Sequence, residues 1–150
     1  MNAIPVNLEF NWKALLLGVA TMMVCLTIQA VAVVFAMEKT KSPIYEFAAQ
    51  NKRLQAYLYF YLAIFILLMG HLLQILVWGA SLYLFNIVSN PHVAFILAGS
   101  TYTTVGFFND LLAWNWQIIM IITATSGLFS FAWSTSVMFS LTRRLYPIET

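Results

Sequence analysis

The sequence predicts an all-α membrane protein with three transmembrane helices and one shorter helix, and two observations lead to this fold class. The 150 residues include only seven Lys or Arg and five Asp or Glu, so 8% are charged, compared with about 25% in an ordinary soluble domain. Three stretches have no charge at all: residues 14–37, 54–109 and 111–142. They are apolar without the alternation that is typical of barrel strands, so helices are the expected spanning structure.

The same composition excludes several classes of protein. A net charge of +2 without a basic run argues against a nucleic-acid partner, because a phosphate footprint needs clustered Lys and Arg. Cys25 is the only cysteine and lies in an apolar stretch, where it acts as a small hydrophobic residue. The chain contains no catalytic triad, phosphate loop or cluster of metal-ligand residues. We therefore expect no enzyme activity and no cofactor.

The first third of the chain predicts one crossing and one surface segment. Residues 1–13 form the N-terminus and residues 14–37 the first transmembrane helix, since about 20 apolar residues cross the hydrocarbon. A signal peptide is the alternative, but the stretch is longer than the usual apolar core and lacks a basic start. Residues 38–55 contain Pro43 and mix charged with apolar side chains. They predict a cytoplasmic segment with a short amphipathic helix along the membrane surface.

The longest uncharged stretch is interrupted at Ser89-Asn90-Pro91, a polar cap followed by a proline suited to a first helical turn. We expect an outer helix over 56–88 and a new helix over 91–102. At about 18 Å the second helix is too short to cross the membrane. Residues 103–110 follow it and contain no signal for the start or end of a further helix. A third transmembrane helix is predicted over 114–145, and residues 146–150 form the tail.

Basic residues predict the orientation. They concentrate between the first two spans and after the third, and positive residues mark cytoplasmic loops. These residues are Lys39, Lys41, Lys52, Arg53, Arg143 and Arg144. Two long helices between Arg53 and Arg143 place both groups in the cytoplasm and the N-terminus outside. The short helix must then enter the membrane from the outer side and return to it.

The segment Thr101-Tyr102-Thr103-Thr104-Val105-Gly106-Phe107 resembles the selectivity filter of potassium channels, whose core reads Thr-Val-Gly-Tyr-Gly. The resemblance covers roughly residues 54–145, with an outer helix, a pore helix and an inner helix in the family order. It implies a re-entrant pore helix and filter in each chain of a homotetramer. In such a filter, backbone carbonyls replace the water shell of potassium, and Val105 faces away from the ion. The implied ion-binding residues are Thr103, Thr104, Val105, Gly106 and Phe107.

The sequence departs from the family pattern after Phe107. The family continues with glycine and aspartate, whereas this chain has Phe108, Asn109 and Asp110. If the outermost carbonyl requires positive φ, a bulky residue there costs about 1–2 kcal/mol per chain. We expect fewer ordered outer sites and weakened or altered potassium selectivity. Asp110 is either the family aspartate displaced by one residue or a solvated charge at the pore mouth.

The third span carries a stripe of small or weakly polar residues at spacings of four, three and four. The stripe consists of Thr123, Gly127, Ser130 and Ser134. In membranes such a stripe is most often a helix-packing face, but beside a filter it also suits a water-lined cavity. We expect the cavity, with Gly127 as a hinge that gates the inner mouth.

His71 and Gln74 lie three residues apart in the second span and therefore share a face. Polar residues inside a membrane are candidates for function, here proton sensing, because histidine titrates near neutrality. The alternative is an interhelical hydrogen bond without a further role.

The function that the sequence predicts is passive permeation of monovalent cations through a homotetrameric channel, with potassium as the expected ion. The expected location is a cell membrane, of the bacterial inner-membrane type. Its expected partners are further copies of the chain, membrane lipids and the cations, with potassium as the permeant ligand at the filter carbonyls. The alternative is a non-conducting accessory or scaffold protein with channel-like architecture. A transporter is disfavoured, because the chain has no inverted repeat and no paired intramembrane charges.

Overall fold

The computed structural model describes residues 11–107 and 112–145, and their secondary structure is entirely helical. The four α-helices are α1 (Trp12–Ala49), α2 (Arg53–Leu84), α3 (Pro91–Tyr102) and α4 (Ile118–Leu145). One 3₁₀ turn, Trp114–Trp116, precedes α4. Three helical segments are long and apolar enough to cross a membrane: Trp12–Ala49, Arg53–Leu84 and Trp114–Leu145. The predicted all-helical fold, with three helices able to span a membrane, is confirmed for the described residues.

Asn11 caps the start of helix α1, and its side chain accepts a hydrogen bond from the Ala14 N–H at 3.2 Å. The helix then continues without a break through Pro43 to Ala49, so the predicted separate helix over 41–55 is not formed. Proline removes only one hydrogen bond of a helix that packing can hold in place. Ile44, one residue later, is fully buried in a cluster with side chains of α2 and α4. This packing keeps the second half of α1 helical.

Helices α1 and α2 both end in the Schellman arrangement, with an asparagine in the left-handed region. Asn51 has φ 59° and Asn86 has φ 54°. After α2, the N–H of Asn86 bonds to Tyr83 O and that of Ile87 bonds to Leu82 O, both at 3.0 Å. Helix α2 therefore ends at Leu84, four residues before the predicted Val88.

Helix α3 occupies Pro91–Tyr102, the residues over which the sequence predicts a short helix. The side chain of Asn90 caps it by accepting bonds from the N–H groups of His92 (2.9 Å) and Val93 (3.3 Å). The proline at the first helical position needs no such acceptor. The cap and the proline together fix where α3 begins.

The helices pack into one bundle in which α2 runs antiparallel to α1, α3 and α4. Thr21 pairs with Ser81, and Gln29 with Gln74, which places α1 against α2 in opposite directions. Helix α3 lies beside α2 and α4, with Phe95 against Gly79 near the start of α3. Its last residue, Tyr102, contacts His71 in α2 and Gly127 in α4. The end of α3 therefore lies beside the interior of both long helices, well away from their ends.

Candidate functional site

Residues 103–107, which we call the filter segment, turn back sharply at the end of α3. The N–H of Thr104 bonds to Thr101 O at 2.9 Å, and the N–H of Gly106 bonds to Ser100 O at 3.0 Å. The hydroxyl of Ser100 also donates to the carbonyl of Phe107 at 3.1 Å. The chain therefore reverses within four residues and returns beside the last turns of α3.

The backbone of the filter segment alternates in handedness. Thr103 has φ −84°, Thr104 has φ 62° and Gly106 has φ 75°, while Val105 between them is not in the positive region. Glycine adopts such a φ without cost, but a β-branched residue does so only under strain. The other two described non-glycine residues with positive φ are asparagines, which tolerate it. Thr104 holds a conformation that costs about 1–2 kcal/mol.

The carbonyl oxygens of residues 103–106 accept no hydrogen bond from any described residue. Thr103, Thr104 and Val105 are also exposed on the surface of the single chain, Val105 at 58%. The predicted packing of Val105 behind the filter is therefore absent within one chain. The carbonyl of Phe107 differs from these four, because the Ser100 hydroxyl already occupies it. Four successive backbone acceptors at the end of α3 therefore have no donor within residues 11–107 and 112–145.

Thr101, in the last turn of α3, has a related feature. Its side chain is 6% exposed, and its hydroxyl is the only buried side-chain polar atom among the described residues that lacks a hydrogen-bond partner. A buried hydroxyl without a partner is unfavourable by about 1–3 kcal/mol. The three residues that carry the predicted departure from the family pattern, Phe108, Asn109 and Asp110, lie outside the described residues.

A closed ring of hydrogen bonds joins all four helices next to the filter segment. His71 Nδ1 lies 2.9 Å from the Tyr102 hydroxyl, which donates to Gln74 Oε1 at 3.1 Å. Gln74 Nε2 donates to Gln29 Oε1 at 2.7 Å. Gln29 Nε2 donates to Ser134 Oγ at 2.7 Å, and Ser134 Oγ lies 3.0 Å from His71 Nε2. All five side chains of this polar ring are at most 7% exposed.

Further contacts support the polar ring from outside. The Ser130 hydroxyl donates to Gln74 Oε1 at 2.8 Å, and Gln74 Nε2 also donates to the Gly70 carbonyl at 3.3 Å. The ring of Phe131 stacks on His71 with centroids 4.4 Å apart. Both predicted polar residues of α2, His71 and Gln74, therefore bond across helix interfaces.

The small-residue stripe of α4 lies inside the single chain. Thr123 and Ser130 have at most 1% of their surface exposed and Ser134 has 7%, while the Thr123 hydroxyl bonds back to Ile119 O at 2.8 Å. A Cβ on Gly127 would overlap the backbone carbonyl of Tyr102. In this arrangement the stripe is a packing face against α1, α2 and α3. The cavity-lining role that the sequence predicts for these four residues is not seen within one chain.

Two members of the polar ring, Gln29 and Tyr102, are absent from the sequence predictions. Gln29 is the one amide side chain in the first apolar stretch, whose other polar residues are Thr21 and Thr27, and that amide is the signal that could have identified it. Tyr102 belongs to the filter-like motif but carries no signal for a side-chain role. No protein-family model, curated protein or solved structure matches the chain.

Proposed function

We propose that the chain is a subunit of a homotetrameric cation channel in which the backbone carbonyls of residues 103–106 bind potassium. The observation that carries this proposal is the set of four successive carbonyls at the end of α3 that accept no hydrogen bond from the other residues that the structure describes. Carbonyl rings of this kind replace the hydration shell of a permeant cation. The alternating φ of the filter segment supports the same function, because strained backbone is held in place mainly at functional sites.

The position of the filter segment supports a pore. Gly127, which contacts the end of α3, lies about 14 Å along α4 from its first residue, roughly half of the 30 Å hydrocarbon core. Backbone without helical hydrogen bonding is tolerated at that depth only where protein covers it or water reaches it. A re-entrant α3 with a return strand that lines a water-filled path meets this condition. The negative end of the α3 dipole favours cations at the same place.

The single chain supplies only one carbonyl strand, so a pore requires several copies. Exposure of Thr103, Thr104 and Val105 leaves surface for neighbouring strands, and the unpartnered Thr101 hydroxyl marks an incomplete environment. The number four comes from the resemblance to potassium channels. The same proposal includes an orientation in the membrane. The helix ends that carry the basic residues face the cytoplasm, and the filter segment lies nearer the outer side.

Ion flux into liposomes that contain the purified chain tests the proposal. We expect potassium and rubidium to permeate, and a particle of four-fold symmetry. Gly106→Ala should abolish flux, because alanine at φ 75° is strained and blocks the carbonyl arrangement. The matched control is Gly99→Ala in α3, where the new Cβ would meet Ile75 Cγ2 at an ordinary 3.5 Å. Absence of flux with a folded protein, or a two-fold particle, contradicts the channel and favours a non-conducting accessory protein.

Selectivity tests the departure at Phe108 separately. We expect the wild-type chain to discriminate potassium from sodium weakly and Phe108→Gly to discriminate more strongly. If the outermost filter carbonyl requires positive φ, as the resemblance implies, glycine removes a steric cost of about 1–2 kcal/mol there. Bilayer recordings under bi-ionic conditions measure the permeability ratio. Strong potassium preference in the wild type would contradict this prediction while leaving the channel function intact.

A further inference from the structure

The polar ring consists of neutral groups whose protons can be assigned one by one. With the Tyr102 hydroxyl donating to Gln74 Oε1, the ring is continuous when His71 Nδ1 carries the proton of the Nδ1···O contact with Tyr102. His71 Nε2 is then bare and accepts the hydroxyl proton of Ser134. Ser134 in turn accepts from Gln29. With neutral His71, every bond therefore points the same way around the ring.

A second proton on His71 breaks this order at one point. Nε2–H would donate to Ser134 Oγ, which can accept this bond beside that from Gln29, and the Ser134 proton would lose its acceptor and turn out of the ring. The positive charge would also have no counter-ion there. The titratable groups that face the ring are the phenol of Tyr102 in α3 and the thiol of Cys25 in α1, whose Sγ lies 3.9 Å from Gln74 O. The described parts of α2 and α4 add no carboxylate or other charged group to it.

Tyr102 connects the ring to the filter segment. Its phenol is held by His71 and Gln74, and its backbone carbonyl packs on Gly127. The next residue, Thr103, is the first of the filter segment. If the phenol were released, Tyr102 would lose its side-chain anchors immediately before the four carbonyls of residues 103–106.

We propose that the polar ring is a proton-operated positioning device: with neutral His71 it closes and fixes Tyr102 and the filter segment, and protonation of His71 opens it and lowers ion flux. The effect on flux rests on the proposed channel function, whereas the opening of the ring does not. His71 acts here as a positioning residue through Tyr102.

The tautomer of His71 is the most direct test. The chain has two histidines, so the His92→Gln variant leaves His71 as the only signal in ¹⁵N-histidine NMR of the protein in lipid nanodiscs. His92 is exposed, and the Asn90 cap uses only its backbone N–H. We expect the Nδ1–H tautomer alone at pH 8. The Nε2–H form or a mixture at pH 8 overturns the proposal.

Two variants of the polar ring are used, so that misfolding of one variant does not decide the test. Tyr102→Phe removes the acceptor of Nδ1–H, so His71 should shift toward Nε2–H, and retention of Nδ1–H would contradict the ring. His71→Gln can still donate to Tyr102 and accept from Ser134 but does not titrate. Its thermal unfolding midpoint should be the same at pH 8 and pH 5, while that of His92→Gln should fall. Equal falls in the two variants overturn the proposal.

Flux provides the functional test. Between pH 8 and pH 5 we expect potassium flux through His92→Gln to fall about tenfold, the effect of losing one or two interhelical hydrogen bonds in a membrane. Flux through His71→Gln should change less than about twofold on the same scale. Flux through His92→Gln that is independent of pH overturns the proposal. No flux at any pH contradicts the channel function instead, and the tautomer and unfolding results then decide the ring.

Discussion

Gly127 occupies the closest approach between α4 and the end of α3. A Cβ at this position would overlap the Tyr102 carbonyl oxygen, which is backbone and cannot rotate away. The sequence offers two explanations for this glycine, a gating hinge and a packing position. The contact with Tyr102 accounts for the glycine by packing, within a stripe whose other three members are also buried.

The substitution Gly127→Ala separates these explanations. We expect it to destabilise the folded chain by about 1–3 kcal/mol through overpacking, with a lower thermal unfolding midpoint in detergent. Gly99→Ala is the control, because its Cβ would make an ordinary contact with Ile75. An unfolding midpoint of Gly127→Ala equal to that of Gly99→Ala would contradict the packing explanation.

At the scale of the helices, the sequence is sufficient to predict a helix end when the interactions that fix it join residues only a few positions apart. Asn90 and Pro91 mark the start of α3, since the cap bonds reach only two and three residues along the chain. The charged residues after position 37 predict the end of the first span there, but α1 continues to Ala49. The reason is that Ile44 packs against α2 and α4, and these contacts leave no local trace in the sequence. Asn86 ends α2 early by adopting positive φ inside a stretch without any charge.

The candidate site divides in the same way. The spacing of His71 and Gln74 indicates a shared face, and the threonines with Gly106 indicate an unusual backbone. The bond that closes the polar ring joins Gln29 to Ser134, 105 residues apart. No pattern within one helix predicts such a pair, because it depends on how deeply α1 lies against α4.

The continuity of α1 can be tested through Ile44. This side chain is fully buried in a cluster with Ala63, Leu67 and Leu141, so Ile44→Ala should destabilise the chain by about 2–5 kcal/mol. The neighbouring Tyr45 is 59% exposed, and Tyr45→Ala should change stability by less than about 0.5 kcal/mol. Thermal unfolding in detergent measures both. Equal, small effects would indicate that residues 38–49 lie on the membrane surface, away from α2 and α4.

For the whole molecule, the helix directions gather the basic residues at one end. Helix α1 ends, α2 begins and α4 ends at the same side of the bundle, which carries six of the seven basic residues in the sequence. Arg143 there stacks over Phe139 at 4.5 Å from the ring centroid. The opposite end carries Lys13 and the tryptophans at 12, 114 and 116. This asymmetry is typical of a cytoplasmic end and an outer end with aromatic anchors.

Cysteine labelling tests the orientation. In a Cys25→Ala background, we expect an impermeant thiol reagent to label Trp114→Cys from the outside of intact cells and Lys52→Cys only after permeabilisation. Both positions are exposed in the structure, so access through the membrane decides the result. The opposite pattern would invert the proposed topology.

The unbonded carbonyls of the filter segment also have a consequence for how the protein is made. A newly inserted single copy would present these acceptors at a depth where lipid tails offer no hydrogen bond, at a cost of several kcal/mol for each unsatisfied group. In the proposed tetramer, neighbouring copies and the water and ions they enclose would remove that cost. Folding and association are then linked by mass action, so the apparent stability of each chain should rise with the protein-to-lipid ratio. Orphan subunits, in this view, are short-lived intermediates of biogenesis.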